Sequence, residues 1–300
     1  MSALGILKKI VLAVLAFLLV SNLVALVVLL NFKAIAFEPK FYEDELEKLQ
    51  VYGSAKNVIA EMLIQQLPAQ LTSIIPAEQL KDEIKNAIPD SWMKAQFKNL
   101  TQNTLAYLKG EKEALELEIS LSEVKSSLQA FAQDYVAENI PPELTGAINV
   151  NQLLSPLPET FDLASMLPNL QQLGQFRQIV QLFFLAINAL IVGAIILFVL
   201  IILLAFRNLK SLLRWIAEPL IASGAVCISL AYTMPGIVNQ MLSQQLASTG
   251  GLAYGAGTIS AFMADFANAI FSGAMAYGIA FLAVGIILFI VSFFVKKKLE

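Results

Sequence analysis

Four long apolar stretches dominate the chain, and their lengths predict membrane-spanning helices. The stretches contain 21, 28, 20 and 26 residues and lie at Ile10–Leu30, Ile179–Phe206, Trp215–Met234 and Ile270–Val295. Because an α-helix rises about 1.5 Å per residue, about 20 residues cross a hydrocarbon core of about 30 Å. The pattern therefore predicts an all-α membrane protein with four transmembrane helices.

The first stretch also shares features with a cleaved signal peptide. Lys8 and Lys9 precede it, and Ala34-Ile35-Ala36 resembles a cleavage site. However, the apolar region of a signal peptide has about 7–15 residues, whereas this stretch has 21. We therefore favour an uncleaved signal anchor.

Eight lysine and arginine residues close to the four stretches lie on one side if all four stretches cross the membrane. These residues are Lys8, Lys9, Arg207, Lys210, Arg214, Lys296, Lys297 and Lys298. Short loops rich in Lys and Arg stay in the cytoplasm, and the segment 235–269 contains neither residue. We therefore expect a multi-pass protein of a bacterial cell membrane with both termini in the cytoplasm. The final Leu299-Glu300 resembles a cloning remnant and carries no inference.

This topology divides the chain into five parts. Residues 1–32 form the cytoplasmic N-terminus and first span, and residues 33–177 form a mostly helical extracytoplasmic domain between the first and second spans. The remaining parts are a hairpin of the second and third spans at 178–234, a second extracytoplasmic loop at 235–269, and the last span with a basic cytoplasmic C-terminus at 270–300.

Apolar spacing, prolines and capping residues predict the elements of the large domain. Helices are expected at 39–67, 76–88, 91–109 and 122–139, with Asp90 or Ser91 as the cap of the third. Gly110 is expected at a helix C-terminus, and Ser120 with Glu123 as a capping box. Between them, Leu115–Leu121 alternates with period two, which is typical of a short strand or an extended linker. A further helix from Asn169 is expected to continue into the second span.

The second outer segment has an uncharged amphipathic pattern. Ile237, Met241, Leu242 and Leu246 form an apolar stripe, and glycines 250, 251, 255 and 257 follow. Such a helix lies in the headgroup plane or packs beneath the larger domain. We favour packing, because interfacial helices usually carry Lys or Arg on their polar face.

Composition then excludes several kinds of chemistry. Charged residues make up 14% of the chain and the mean hydropathy is +0.69, against about 25% charged residues in soluble proteins. The chain has no histidine and one cysteine, Cys227. These absences exclude His-containing triads, His/Cys zinc sites and an intrachain disulfide. We assign no catalytic residue, no metal ligand and no cofactor.

Charge is distributed unequally along the chain. The segment 33–177 has 12 basic and 20 acidic residues, a net charge of −8, whereas the rest of the chain has a net charge of +5. An acidic domain disfavours nucleic acid as a partner. The carboxylates concentrate at 43–47 and 111–118, but neither group has the spacing of a calcium loop, which favours a solvated face over a calcium site.

Small residues mark candidate positions of close helix packing. Ser272, Ala276 and Ala280 recur every four residues in the fourth span and form one stripe. The remaining candidates are Gly273, Gly278 and Gly285 in the same span, and Ser223 and Gly224, beside Ala225, in the third. Small residues let helix backbones approach closely in lipid. Packing within the monomer is favoured over a dimer seam, although the motif itself does not separate the two.

Charged residues are rare within the spans, which argues against a coupled transporter. Glu218 lies one turn from Arg214 near the cytoplasmic end of the third span, within reach of an ion pair. Asp265 precedes the fourth span. Neither position suits an ion relay at the midplane. The sequence does not exclude a pore lined by amide side chains and backbone groups.

Three segments carry a resemblance to known proteins. FYEDELEKLQVYG, IPDSWMKAQFKNLTQNTLAYLKG and LELEISLSEVKSSL, within residues 40–130, resemble uncharacterised bacterial multi-pass envelope proteins with a helical extracytoplasmic domain. The resemblance implies the same topology and transfers no site residue.

These observations lead to one main hypothesis and two alternatives. The main hypothesis is a non-enzymatic membrane protein whose extracytoplasmic lobe binds or scaffolds another envelope component. The expected partners are the lipid bilayer and either an envelope protein or a second copy of the chain. The alternatives are a channel or transporter component and a lipid-binding membrane protein.

Overall fold

The computed structural model describes residues 3–141, 148–164, 170–248 and 255–295. The protein is about 85% helical and contains four helices that are long and apolar enough to cross a membrane. It divides into a membrane unit, Met1–Glu38 with Leu182–Glu300, and a lobe, Pro39–Gln181. This fold confirms the prediction of an all-α multi-pass membrane protein. The lysines 296–298, Leu299-Glu300 and glycines 250 and 251 lie outside the described residues.

The membrane unit is built from the long helices α1 and α9–α11. They cover Ala3–Ala36 (α1), Leu170–Ala205 (α9), Leu209–Ser248 (α10) and Gly255–Phe294 (α11). Helix α9 contributes residues to both units, because its first turns, up to Gln181, belong to the lobe. The predicted helix from Asn169 into the second span therefore exists from Leu170 onward.

Helices α10 and α11 are longer than the apolar stretches within them. Helix α10 runs through Pro219 and Pro235 and includes the amphipathic segment that we expected to be a separate helix. Helix α11 begins at Gly255, 15 residues before the predicted span. Each helix has 40 residues and is about 60 Å long. The predicted third span, Trp215–Met234, lies within α10, which continues to Ser248, because hydropathy marks the apolar part of a helix and not its ends.

The main helix pair of the membrane unit joins α10 to α11, and α1 packs against both. The contacts of Gly224 with Gly278 and of Ala217 with Gly285 show that α10 and α11 run antiparallel. The short link at 207–214 predicts instead a hairpin of the second and third spans, which is not the main pairing. Link length limits how far apart two helices can begin, but side-chain fit determines which pair packs closely.

The lobe contains seven helices and two short strands within its described residues. They are α2 (Pro39–Lys48), α3 (Val51–Gln66), α4 (Ala69–Ile74), α5 (Ala77–Asn86), α6 (Asp90–Lys109), β1 (Glu118–Ser120), α7 (Ser122–Asn139), α8 (Val150–Leu154) and β2 (Thr160–Asp162). A single apolar core joins the helices, and its most enclosed side chains include Leu71, Leu80, Ile84, Met93 and Leu128. Apolar spacing of three and four residues puts these side chains on the inner helix faces.

The strand-like stretch pairs with a segment that the sequence pattern does not reveal. β1 and β2 are antiparallel, and Ile119 lies opposite Phe161. Ile119 faces the core, whereas Glu118 and Ser120 are exposed, as a period of two requires. Only Glu118–Ser120 is a strand, so most of the predicted stretch is extended chain.

Two local predictions fail at helix ends. The single helix expected at 39–67 breaks at Gln50, which has a left-handed backbone with φ of 53°. Ser120 does not cap α7, because its hydroxyl group pairs with that of Ser122, and Leu121 occupies the N-cap position. The strand pairing of Ser120 with Thr160 explains this difference, since it holds Ser120 in the extended chain before the helix.

Gly110 ends α6 as predicted. Its φ is 84°, and its N–H donates to the carbonyl of Tyr107. A Cβ at this position would lie 3.1 Å from the Gln181 amide nitrogen, Nε2. The turn therefore requires glycine for both its backbone angle and its limited space.

We predict that Gly110→Ala destabilises the lobe by about 1–2 kcal/mol, the cost of a left-handed backbone for an L-residue. Trp92 is buried in the lobe core, so its fluorescence during denaturation, in a Trp215→Phe background, measures this change. Gly53→Ala is the matched control, because Gly53 lies inside α3 with open space around it and should gain helix propensity. Equal stability of the Gly110→Ala variant and the parent would contradict the prediction.

Candidate interaction sites

Three of the predicted small residues hold α10 and α11 at backbone contact distance. A Cβ on Gly224 would lie 2.6 Å from the carbonyl oxygen of Gly278, and a Cβ on Gly278 would lie 3.0 Å from that of Gly224. A Cβ on Gly285 would lie 2.9 Å from the backbone nitrogen of Ile221. These distances are too short for any side chain, so the helix pair depends on glycine at all three positions.

Ser223 belongs to the interior of the same unit. Its side chain is fully buried, and its hydroxyl group donates to the carbonyl of Pro219 at 2.7 Å. This bond satisfies the hydroxyl within its own helix, which hydrocarbon surroundings require.

The stripe of Ser272, Ala276 and Ala280 faces away from the helix contacts. All three residues are exposed on the monomer, and the Ser272 hydroxyl group donates to Ala269 of its own helix. The structure thus separates the predicted set into internal positions, which include the glycines, and an outer stripe without a partner helix among the described residues.

Two asparagines form contacts that sequence reasoning missed. Asn31 of α1 is buried, its amide group donates to the carbonyl of Val27, and its Oδ1 fills the space that a Cβ on Gly273 would need. Asn22 makes a similar contact on α9, where its Nδ2 lies 3.0 Å from the position of a Cβ on Gly193. An amide in an apolar helix is the signal that could have identified both residues.

Arg214 has different partners from those expected. Its Nε lies 3.4 Å from the Ser292 hydroxyl group, and its guanidinium group stacks on the rings of Phe289 and Phe293. Glu218 is exposed and has no ion pair among the described residues. The expected ion pair is therefore absent there, because a helical Glu following Arg is the weaker orientation and α11 offers aromatic faces.

The interior of the membrane unit is apolar apart from a few polar side chains, of which Asn22 has a buried Oδ1 without a hydrogen-bond partner among the described residues. Its two clusters of buried side chains consist of Leu12, Leu19, Leu23, Ala194, Ile201 and Leu220, and of Val27, Cys227 and Ala274. Three of the polar groups donate to a carbonyl of their own helix: the hydroxyl groups of Ser223 and Ser292 and the amide group of Asn31. Among the described residues, these groups do not form a continuous polar path through the interior of the bundle.

The lobe has a cleft beside α8, its shortest described helix, and the described residues that line this cleft are uncharged. The cleft has a volume of about 520 Å³ and is open to solvent. Its described lining combines amides with aliphatic side chains: Pro68, Gln70, Ile74, Ile148, Asn149, Gln152, Leu153 and Pro156. A second cleft of about 380 Å³ lies on the α7 side of α8 and shares Ile148 and Asn149 with the first.

Hydrogen bonds hold α8 between the two clefts. The Asn149 side chain caps the helix by accepting from the backbone N–H of Gln152 at 3.1 Å. Asn151 accepts from the side-chain amides of Gln129 and Gln133 of α7. The wall of both clefts is therefore positioned by amide contacts, and Gln152 and Leu153 line the larger cleft.

The acidic residues at 43–47 form ion pairs rather than a clustered site. Glu47 pairs with Lys94 at 2.8 Å, and Glu43 pairs with Lys98 at 3.6 Å. The hydrogen bond to Glu47 raises the pKa of Lys94. No group of three or more Cys, Asp or Glu side chains suited to a metal ion occurs among the described residues.

Two further ion pairs connect the lobe helices. Lys81 donates to Glu61 at 2.8 Å and lowers the pKa of that carboxyl group, and Lys56 lies 2.7 Å from Asp90 and lowers its pKa likewise. All these pairs are at the surface, where solvent screens them, so they contribute little to stability.

Comparison with known proteins gives no match to a family model, to a curated protein or to a solved structure. The resemblance to bacterial envelope proteins therefore stays a prediction, and the residues themselves carry the functional argument.

We predict that Gly273→Ala destabilises the membrane unit by about 1–3 kcal/mol, because the new methyl group overlaps Asn31. The double variant Asn31→Ala, Gly273→Ala should recover part of this loss, since the methyl group then enters the space that the amide leaves. Reversible unfolding in mixed micelles measures the two single variants, Gly273→Ala and Asn31→Ala, and the double variant.

Gly236→Ala is the control for this pair, because Gly236 lies in α10 with no atom near its Cβ position. Strictly additive effects of the two substitutions would show that Asn31 and Gly273 are not coupled.

Proposed function

We propose that this is a non-enzymatic membrane protein whose lobe lies outside the cytoplasmic membrane and binds or scaffolds another envelope component. The observation that carries the proposal is the cleft between α4 and α8, whose described lining is uncharged, in a lobe with a net charge of −8. A volume of about 520 Å³ suits a small ligand or a segment of a partner chain.

The lining of the cleft indicates the chemistry of its ligand. Gln70, Asn149 and Gln152 are amides, which both donate and accept hydrogen bonds, and Ile74 and Leu153 are apolar. This combination suits an extended peptide segment, whose backbone pairs with amides and whose side chains cover aliphatic surface. A peptide segment of an envelope protein is accordingly the proposed ligand.

The proposed topology puts both termini in the cytoplasm. It is supported by the eight lysines and arginines at 8–9, 207–214 and 296–298, which lie on one side if all four helices cross. The lobe then faces the envelope, where its net charge of −8 meets other envelope components.

The two alternative functions have less support. A channel needs a continuous polar path, whereas the described interior of the membrane unit is apolar. A lipid-binding lobe needs an apolar cavity the size of an acyl chain, whereas the apolar cavity beside Met62 and Phe161 has room for about 30 Å³, the space of one or two water molecules.

We predict that a photo-crosslinker attached to Gln152→Cys, in a Cys227→Ser background, captures one defined partner in native membranes. A membrane-impermeant reagent applied to intact cells should label this cysteine. The matched control is Gln102→Cys, an exposed amide on α6 that does not line either cleft. Capture of the same proteins from both positions would contradict the role of the cleft, and labelling only in inverted vesicles would contradict the topology.

We also predict that the purified protein in liposomes gives no selective ion or solute flux above that of protein-free liposomes. Gramicidin in the same liposomes serves as the positive control. Selective flux by the protein alone would replace our proposal with the channel alternative.

A further inference from the structure

Helix α9 has two apolar seams, and the helix bundle uses only one of them. The buried seam consists of Val180, Ile187, Ala194 and Ile201, spaced at seven residues. The other seam is exposed and alternates steps of three and four residues: Leu185, Asn188, Val192, Ile195, Val199 and Ile202. This alternation is the spacing by which one helix packs along another.

Exposed valine and isoleucine residues are normal for a helix in lipid, so Asn188 is the informative member of this seam. It is the tenth of the 28 residues in the stretch Ile179–Phe206, about 7 Å from the centre of that stretch and thus within the hydrocarbon core. Its side chain is exposed and makes no hydrogen bond among the described residues. Hydrocarbon offers an amide neither a donor nor an acceptor.

Three exposed hydroxyl groups of the membrane helices are satisfied locally. The hydroxyl groups of Ser21, Ser229 and Thr233 each donate to a carbonyl four residues earlier in the same helix. Asn188 lacks such a bond, which indicates a partner outside the described chain.

We propose that a second copy of this chain packs along the exposed seam of α9, with the two Asn188 side chains hydrogen-bonded to each other across a two-fold axis. The amide is its own complement, because it carries both a donor and an acceptor. In a parallel pair with two-fold symmetry, the two Asn188 side chains lie at the same depth, so no other polar residue is needed. A different partner would need its own polar group at that depth.

The seam also suits a helix dimer in shape. Val192, Ile195 and Val199 are β-branched, so their side chains lose little freedom on packing. One polar residue within an apolar seam fixes the register and the number of helices. Asn188 thus specifies the pair, and the residues on either side of it provide the packing.

The first experiment locates the seam by disulfide formation in the full chain, with Cys227→Ser to remove the native thiol. Ile195→Cys lies on the seam and should form a covalent dimer in phosphatidylcholine vesicles under mild oxidation. Ile196→Cys is the control, because Ile196 is equally apolar and exposed but points about 100° away. Equal crosslinking at both positions would overturn the proposal.

The second experiment tests the amide. Asn188→Leu should raise the protein-to-lipid ratio needed for half-maximal crosslinking at Ile195→Cys by about five- to thirty-fold, whereas Asn188→Gln should stay within about threefold of the parent. Ser229→Ala removes a hydroxyl group that is already bonded within its helix and should have no effect. An unchanged dimer with Asn188→Leu would refute the role of the amide.

Native membranes distinguish the second copy from another partner. A crosslinked product of twice the chain mass supports the dimer, and a product that contains a different protein overturns it. The dimer does not depend on the proposed function of the lobe, because capture from Gln152→Cys and crosslinking at Ile195→Cys are separate measurements that can fail separately.

Discussion

Hydrocarbon supplies no hydrogen bonds, and this constraint explains how the membrane unit is assembled. Apolar side chains gain little by leaving lipid for protein, so helices associate through close fit and satisfied polar groups. The fit comes from Gly224, Gly278 and Gly285, where α10 and α11 approach at backbone distance. Several buried polar groups are satisfied by carbonyls of their own helices, as for Ser223.

Asn31 of α1 combines both requirements. Asn31 satisfies its amide nitrogen on its own helix and also fills the notch at Gly273. This contact fixes the position of α1 along α11. Apolar contacts alone fix such a position less well, because they tolerate a shift of one helix along the other. Asn22 has the same relation to Gly193 of α9. Two amide-to-glycine contacts thus fix one helix against two others.

The sequence predicts much of the fold because hydropathy and apolar spacing are local signals. The four apolar helices and the C-terminal glycine of α6 follow from such signals. What it does not predict depends on contacts distant in sequence, such as the pairing of Ile119 with Phe161 and the position of Asn31 against Gly273. The clefts beside α8 are equally hidden, since their walls come from α4, α7 and α8.

The prolines inside α10 give the paired long helices unequal stiffness. Pro219 and Pro235 lack the N–H group, so the carbonyls four residues earlier have no helical donor and α10 bends most easily at these two points. Helix α11 has no proline between Gly255 and Phe294 and resists bending along its whole length. Lateral force on the pair would therefore bend α10 at its two prolines, whereas α11 would bend evenly along its length.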